Sequence, residues 1–240
     1  MSPLLWIPVG FLALFAFWRF GFFFRNPPRR ISADDSLVLS PADGFVVYVV
    51  RVRPGDAVFA VKQGKPVFLD DLMFLEDPEL PRDGWLIGVY MSPFDVHYNR
   101  APIRGRIRKI AHRFPGRAAE GGNANMFPGQ ANLFFDRRPY WQGCDYLVKN
   151  ERASYLFSNE TRHVYVTQIA DRWIRRIVSL RDGAEVAQGD VFGLIRMGSQ
   201  VDLFVPDPDQ RMEVLVRERQ HVRAGLDALL RSRPAAPVQP

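Results

Sequence analysis

Hydrophobic positions fall into two regimes along the chain. Residues 3–24 are apolar on every face, with one interruption at Arg19. Such a pattern predicts a helix with an apolar environment on all sides. The 22 residues would reach about 33 Å as a helix, against a hydrocarbon core of about 30 Å. The uninterrupted part, 3–18, reaches about 24 Å and carries Pro8 and Gly10. From Ile31 onward the pattern changes to short β-branched or aromatic runs bounded by turn residues. Strands are predicted at 38–39, 45–52, 58–61, 85–90, 106–110, 154–157, 164–169 and 174–180. Helices are expected at 68–74 and 224–231. Residues 115–139, with Gly121, Gly122 and Gly129, show little periodicity and read as a long loop, a feature usually functional or mobile in a compact domain.

The fold class expected is α+β and β-dominated, a barrel-like or sandwich-like domain of short strands with few helices. An N-terminal hydrophobic membrane-anchor helix precedes it. Residues 1–30 form the anchor with its basic flank, 31–232 the main domain and 233–240 a disordered tail. Val52-Arg-Pro-Gly55, Val186-Ala-Gln-Gly189 and Val222-Arg-Ala-Gly225 share V-x-x-G, each reading as a strand entering a turn where glycine supplies positive φ. The pattern is like the turns of lipoyl-type barrel-sandwich domains, and ordinary hairpin turns explain it equally well.

Composition narrows the partners. The net charge of +6 suits an anionic partner, nucleic acid or an acidic lipid surface. The apolar N-terminus favours the lipid, and no basic-aromatic recognition motif follows to favour nucleic acid. No positive charge precedes the apolar run and no small-residue cleavage site follows it, so a signal peptide is set aside. Arg25, Arg29 and Arg30 follow it closely, which places the rest of the chain on the cytoplasmic face of the cell (inner) membrane. The single cysteine, Cys144, cannot form an internal disulfide, and no Cys/His cluster offers a metal site.

Four segments carry candidate chemistry. Ser40-Pro-Ala-Asp-Gly44 is a turn feeding a strand, where Asp43 would ordinarily be structural. Met91-Ser-Pro-Phe-Asp-Val-His-Tyr-Asn-Arg100 packs Ser92, Asp95, His97, Asn99 and Arg100 at a strand end, where sites are often built. Lys149-Asn-Glu-Arg152 is a charge run that reads by itself as a solvated turn. In the last segment, Gly198-Ser199 sits between two apolar runs, where a sheet would prefer larger residues.

Together these segments resemble the phosphatidylserine decarboxylases in their short bacterial form. The matching pieces are Phe24-Arg-Asn-Pro27, SPADG, MSPFDVH followed by NRAP, KNER, VTQIA with RRIV, and GLIRMGS-VDLFVP. They run in order from about residue 24 to 206. The resemblance implies that the chain cuts itself at Gly198-Ser199, giving a β chain 1–198 and an α chain 199–240 that remain together as a heterodimer. Attack of Ser199 Oγ on the Gly198 carbonyl gives an ester, elimination leaves dehydroalanine, and hydrolysis yields a pyruvoyl group derived from Ser199. A serine hydroxyl needs a base for this. The resemblance assigns Asp43 and a histidine as partners of Ser199, Asp43 orienting the imidazole, and His97 is the histidine in a family motif.

The resemblance further implies a pyruvoyl-dependent carboxy-lyase that converts phosphatidylserine to phosphatidylethanolamine and CO2. The pyruvoyl group is its only cofactor and no metal is needed. Well-studied members carry a second histidine three positions after the first, where this chain has Arg100. Either His97 serves both processing and decarboxylation, or another histidine such as His163 is recruited. Gln200 stands where Arg or Thr is usual. Two other readings stay open: a decarboxylase of another serine-headed lipid of the archaetidylserine type, and a non-enzymatic membrane-tethered β-sandwich binding module.

Overall fold

The computed structural model describes residues 6–60, 66–73, 82–114, 124–171, 177–196 and 199–233. In chain order the strands are β1 (Leu37–Leu39), β2 (Gly44–Val52), β3 (Phe59–Ala60), β4 (Pro66–Val67), β5 (Gly84–Met91), β6 (Tyr98–Arg100), β7 (Gly105–Arg113) and β8 (Arg152–Ser158). They continue as β9 (His163–Ala170), β10 (Ile177–Ser179), β11 (Glu185–Val186), β12 (Val191–Ile195), β13 (Ser199–Pro206), β14 (Met212–Val214), β15 (His221–Val222) and β16 (Ala228–Ser232). The helices are α1 (Trp6–Ala16), continued by a π-helical stretch Phe17–Phe22, then α2 (Leu69–Met73), α3 (Phe127–Phe134) and α4 (Tyr146–Lys149).

An open, curled antiparallel sheet of eight strands, ordered β11-β7-β8-β9-β13-β5-β2-β15, is the frame. Strand β13 lies near its middle between β9 and β5, and all its residues but Pro206 are buried. Alternation sends Val201, Leu203 and Val205 to one face with Val89, Ile87 and Val166. Phe204 goes to the other face with Leu86, Tyr165 and Ile169. Two small sheets, β1-β16-β14 and β10-β12-β6, are strung beside the large one. Their Val38, Leu230 and Ile195 share the first core. The second core is closed by Leu69 and Leu72 of α2 and by Tyr146 and Leu147 of α4. The domain is therefore β-dominated with few helices.

Three expectations change. Residues 224–231 are not helical, because Ala228–Ser232 pairs with both β1 and β14 and buries Leu229 and Leu230. Inter-strand pairing overrides the helical propensity of Ala and Leu there. The stretch 115–139 holds helix α3 with Pro128 in its first turn, while 115–123 lies outside the described residues. The N-terminal run forms a helix, but α1 has 11 residues, about 16 Å. Among the described residues no helix is long and apolar enough to cross a membrane. The tail 233–240 lies outside the described residues beyond Arg233, as do 174–176 of the run expected at 174–180.

The glycines of the V-x-x-G repeats adopt the expected left-handed backbone, with φ of 80° at Gly55, 79° at Gly189 and 72° at Gly225. The second and third turns are packed together. A methyl at Gly225 would lie 3.0 Å from Arg100 Cδ and 3.5 Å from Gly189 Cα.

Candidate active site

The SPADG turn is held from two sides. Its Pro41 carbonyl accepts the Arg100 amide at 2.9 Å and Asn99 Nδ2 at 3.3 Å. Its Ser40 amide donates to the Asp227 carbonyl at 2.8 Å, and the Ser40 carbonyl accepts the Gly225 amide at 2.8 Å. Gly44 then starts β2, and a methyl there would lie 2.2 Å from the Tyr90 carbonyl oxygen. Only glycine lets β2 approach β5 this closely. Asp43 is buried, and its carboxylate is fully engaged. Arg29 donates Nη1 to Oδ1 at 2.6 Å and Nη2 to Oδ2 at 2.8 Å, and the Ala224 amide donates to Oδ1 at 2.7 Å. This fork-to-carboxylate geometry is the strong form of the ion pair.

His97 has no exposed surface. Its Nδ1 lies 2.9 Å from the Asp95 carbonyl oxygen, which can only accept, so the ring proton sits on Nδ1 and Nε2 is left as a free acceptor. Burial pulls its pKa from 6.5 to about 4, the Asp95 carbonyl and carboxylate opposing that shift, Arg25 adding to it and Asp43 opposing it. The ring is neutral near pH 7. Asp43 reaches His97 through its field, while its own hydrogen bonds go to Arg29 and Ala224. Asp95 shapes the loop that carries the histidine: its Oδ2 accepts the Ser92 amide at 2.8 Å and its Oδ1 meets His221 Nε2 at 2.8 Å.

Ser199 opens β13 with no exposed surface, in register with Met91 of β5 and Ala170 of β9. The alternation that places Val201 on the first core places Ser199 on the same face. The loop leading to it starts beside the histidine, since the Ile195 amide donates to the His97 carbonyl at 3.2 Å. Met91 is also approached by Asn99 Nδ2, 3.9 Å from its sulfur. Gly198 lies outside the described residues. Among the described residues, Ser199 Oγ and His97 Nε2 are both buried without a hydrogen-bond partner. Leaving a buried polar group unsatisfied costs about 1–3 kcal/mol. Arg100 Nε, Glu151 Oε2 and Asp202 Oδ2 of the same segments share that state, and Ser199 and His97 stand apart because one is a nucleophile and the other a neutral base.

The KNER segment is not a solvated turn. Asn150, Glu151 and Arg152 are all buried, and they fix the strand beside Ser199. Asn150 Nδ2 donates to the Ala170 carbonyl at 2.8 Å, and the Ala170 amide donates to the Glu151 carbonyl at 3.0 Å. Glu151 Oε1 meets His112 Nε2 at 3.0 Å. Arg152 donates to the carbonyls of Asp71, Leu72 and Val148, and burial lowers its pKa from 12.5 to about 9.

Beneath Ser199, on the opposite face of β13, Gln200 is saturated. Its Nε2 donates to Tyr48 Oη at 2.9 Å and Asp202 Oδ1 at 2.7 Å, and its Oε1 accepts Tyr146 Oη at 2.9 Å. Burial raises the Asp202 pKa from 3.8 to about 6.

The other histidines divide clearly. His163 opens β9 at the end remote from Ala170. Seven residues at about 3.3 Å each put it roughly 23 Å along the strand from Ser199's neighbour, so the recruitment of His163 is corrected. His112 is taken by Glu151. His221, which the sequence pattern passed over, lies one carboxylate away from the His97 loop. Arg100 donates Nη1 to the Gly189 carbonyl at 2.9 Å and Nη2 to Asn26 Oδ1 at 2.6 Å. It ties the V-x-x-G turn to the N-terminal linker. A guanidinium stays protonated at physiological pH, so it does not replace a histidine as a base.

Among the described residues, a buried serine hydroxyl and a buried neutral imidazole, each without a hydrogen-bond partner, are groups of the kind that nucleophilic catalysis uses. The family model for phosphatidylserine decarboxylase matches residues 16–229. The chain is 34% identical over 227 residues to a protein of Methanopyrus kandleri named a putative archaetidylserine decarboxylase proenzyme, covering 93% of this chain and 87% of that one. Two relatives named phosphatidylserine decarboxylase proenzyme come from Beijerinckia indica and Xanthobacter autotrophicus. The first is 34% identical, covering 85% of this chain and 71% of its own length, and the second is 36% identical, covering 85% and 69%. The chain belongs to the phosphatidylserine decarboxylase family, and is thereby a decarboxylase of phospholipid metabolism.

Proposed function

We propose that this protein converts phosphatidylserine to phosphatidylethanolamine and CO2 after cutting its own chain between Gly198 and Ser199. The observation that carries the reading is the pair of unsatisfied buried atoms, Ser199 Oγ and His97 Nε2. His97 is held neutral with its proton on Nδ1, so Nε2 takes the proton of Ser199 Oγ as that oxygen attacks the Gly198 carbonyl. Loss of the Ser199 Cα proton then expels the Gly198 carboxylate as the new end of the β chain, and addition of water to the resulting dehydroalanine releases ammonia and leaves the pyruvoyl end of the α chain. The residues present fit the group: its carbon skeleton is that of Ser199, at the head of a strand pinned by β5 and β9. When formed, the pyruvoyl group supplies the electrophilic carbonyl and the electron sink that loss of CO2 requires. His97 Nε2 remains the group that holds or releases a proton there. Asp43 holds the SPADG turn against Arg29 and Ala224 and adds a small contribution to the field at His97, behind burial, Asp95 and Arg25. The α and β chains stay paired through β13.

The same reading places the protein at the cytoplasmic face of the cell membrane. Trp6, Ile7, Phe11, Leu12 and Leu14 of α1 are exposed, as is Phe94 in the His97 motif. These apolar side chains would enter the lipid, and the net positive charge would favour an anionic surface. A serine-headed ether lipid is the second reading, favoured by the Methanopyrus relative that covers 93% of this chain.

Intact mass spectrometry and a decarboxylation assay on both lipids test the proposal. The parent should show chains 1–198 and 199–240, and Ser199→Ala a single chain of 27.5 kDa with no activity. Cleavage of Ser199→Ala at this bond, or decarboxylation by an uncut parent, would overturn it.

A further inference from the structure

The linker that leaves the N-terminal helix does not hang free. Phe23 is fully buried and stacks on His97, with ring centroids 4.0 Å apart and planes 30° apart. Arg25 donates Nη1 to the Phe22 carbonyl and Nη2 to the carbonyl of Phe94, three positions before His97. Asn26 Oδ1 accepts Arg100 Nη2 at 2.6 Å. Arg29 holds Asp43 with both nitrogens and also donates to the Ala224 carbonyl. Within seven residues the linker touches each of the motif residues Phe94, His97, Arg100 and Asp43, and reaches the segment carrying Ala224.

We propose that residues 23–29 are a working strap of the active site, with Phe23 the positioning residue that orients and desolvates the His97 imidazole. The inference rests on His97 being the proton-handling group of the proposed reaction. The strap's chemistry suits the task. One face of the imidazole is covered by a flat apolar ring that offers no hydrogen bond, so a proton arriving at Nε2 finds no solvent on that side. Two other charged groups act on the ring, Asp95 from its own loop and Asp43 from the SPADG turn, and both favour the charged form. Arg25 on the strap opposes it, in the same direction as burial. The two contributions that keep the ring neutral therefore include strap residues, and the strap is continuous with the helix whose apolar side chains face outward.

The strap also bears on how much of the N-terminus is dispensable. A truncation that stops before Phe23 removes the exposed apolar side chains of α1 together with Trp18 and Arg19, which pack on the Phe23 ring. One that includes Phe23 uncovers His97.

The test is a titration of the full chain in detergent micelles. With histidines labelled and assigned by single His→Gln variants, the imidazole of His97 should titrate near 4 in the parent, as its burial implies. In Phe23→Ala it should move up by at least about one unit toward the ordinary 6.5, while Phe23→Tyr stays with the parent. The acid limb of the decarboxylation profile should move with it. At pH 5.5 the rate relative to pH 8 should fall up to about tenfold in Phe23→Ala, the drop in neutral fraction for a group whose pKa reaches 6.5. A parent His97 that titrates near 6.5 overturns the proposal without any variant. So does a Phe23→Ala or Phe23→Leu protein whose His97 titrates with the parent. Unimpaired decarboxylation by His97→Gln would instead refute the role of His97 in the reaction, and would leave the titration result standing.

Discussion

Replacing Arg29 with alanine removes one half of a buried ion pair. The two side chains are 4% and 7% exposed, joined by two charge-assisted hydrogen bonds at 2.6 and 2.8 Å. Arg29→Ala leaves the Asp43 carboxylate with the Ala224 amide as its one remaining donor, in a site that water reaches poorly. Breaking such a pair from one side is destabilising by about 3–5 kcal/mol, a large part of the roughly 5–15 kcal/mol that holds a domain folded. For a chain of this length each kcal/mol moves Tm by about 2–4 °C, so a fall on the order of 10 °C is expected. Thermal unfolding in detergent, followed by tryptophan fluorescence, reads it directly. Asp43→Asn should be similarly damaging, and the double variant Arg29→Ala/Asp43→Asn should lose much less than the two losses added together, because the groups act as one unit. If Arg29→Ala melts within about 3 °C of the parent, less than the shift the smallest of these penalties would give, the pair is not a buried clamp. The strap argued from it would then lose its firmest anchor.

Two buried groups shift stability with pH in opposite senses. Asp202 has a folded pKa near 6 against 3.8, so the native state holds the extra proton and stability falls as pH rises from about 4 to 6. His97 has a folded pKa near 4 against 6.5, so the unfolded state holds the extra proton and stability rises as pH climbs from about 4 to 6.5. The parent should therefore show a muted dependence. Asp202→Asn should gain on the parent by up to about 3 kcal/mol between pH 4 and pH 7, read from urea midpoints; an unchanging difference would refute the assignment. Changing Phe11, Leu12 and Leu14 to serine should cut co-sedimentation with phosphatidylserine-containing vesicles at least several-fold while self-cleavage proceeds. Undiminished binding would move the membrane contact elsewhere.

The long strands were legible because their β-branched and aromatic runs are local: 45–52, 85–90 and 164–169 coincide closely with β2, β5 and β9. The short strands β6, β11 and β15 have two or three residues each, too few for a period to show, and they exist only because a partner strand is adjacent. The same non-local pairing turned an Ala- and Leu-rich tail into β16. Among the site residues, Ser199, His97 and Asp43 were named from motifs, and the structure gives the first two unsatisfied atoms. The Arg29 partner of Asp43 was not legible, since it lies in a basic flank that reads as a membrane-facing charge cluster. His221 was hidden for a related reason: nothing at its position announces a carboxylate more than a hundred residues away. KNER misled because a run of charges looks solvated until its carbonyl partners are visible.

The position of β13 sets the order of events in the life of the molecule. The segment from Ser199 onward supplies an interior strand of the large sheet, the central strand β16 and the outer strand β14 of the sheet whose other edge is β1, and the amide that caps Asp43. The pairings of β13 with β5 and β9 and of β16 with β1, and the cap on Asp43, each join the segment before Ser199 to the segment from Ser199 onward, so neither piece of a chain cut at the proposed bond could form them alone. If the chain is cut at the proposed bond, assembly must be completed by the continuous polypeptide before scission. Two separately translated pieces would each expose unpaired strand edges, which invites aggregation. On the proposed reading, covalent continuity is required for folding and dispensable afterwards, so the unbroken precursor would act as its own assembly jig.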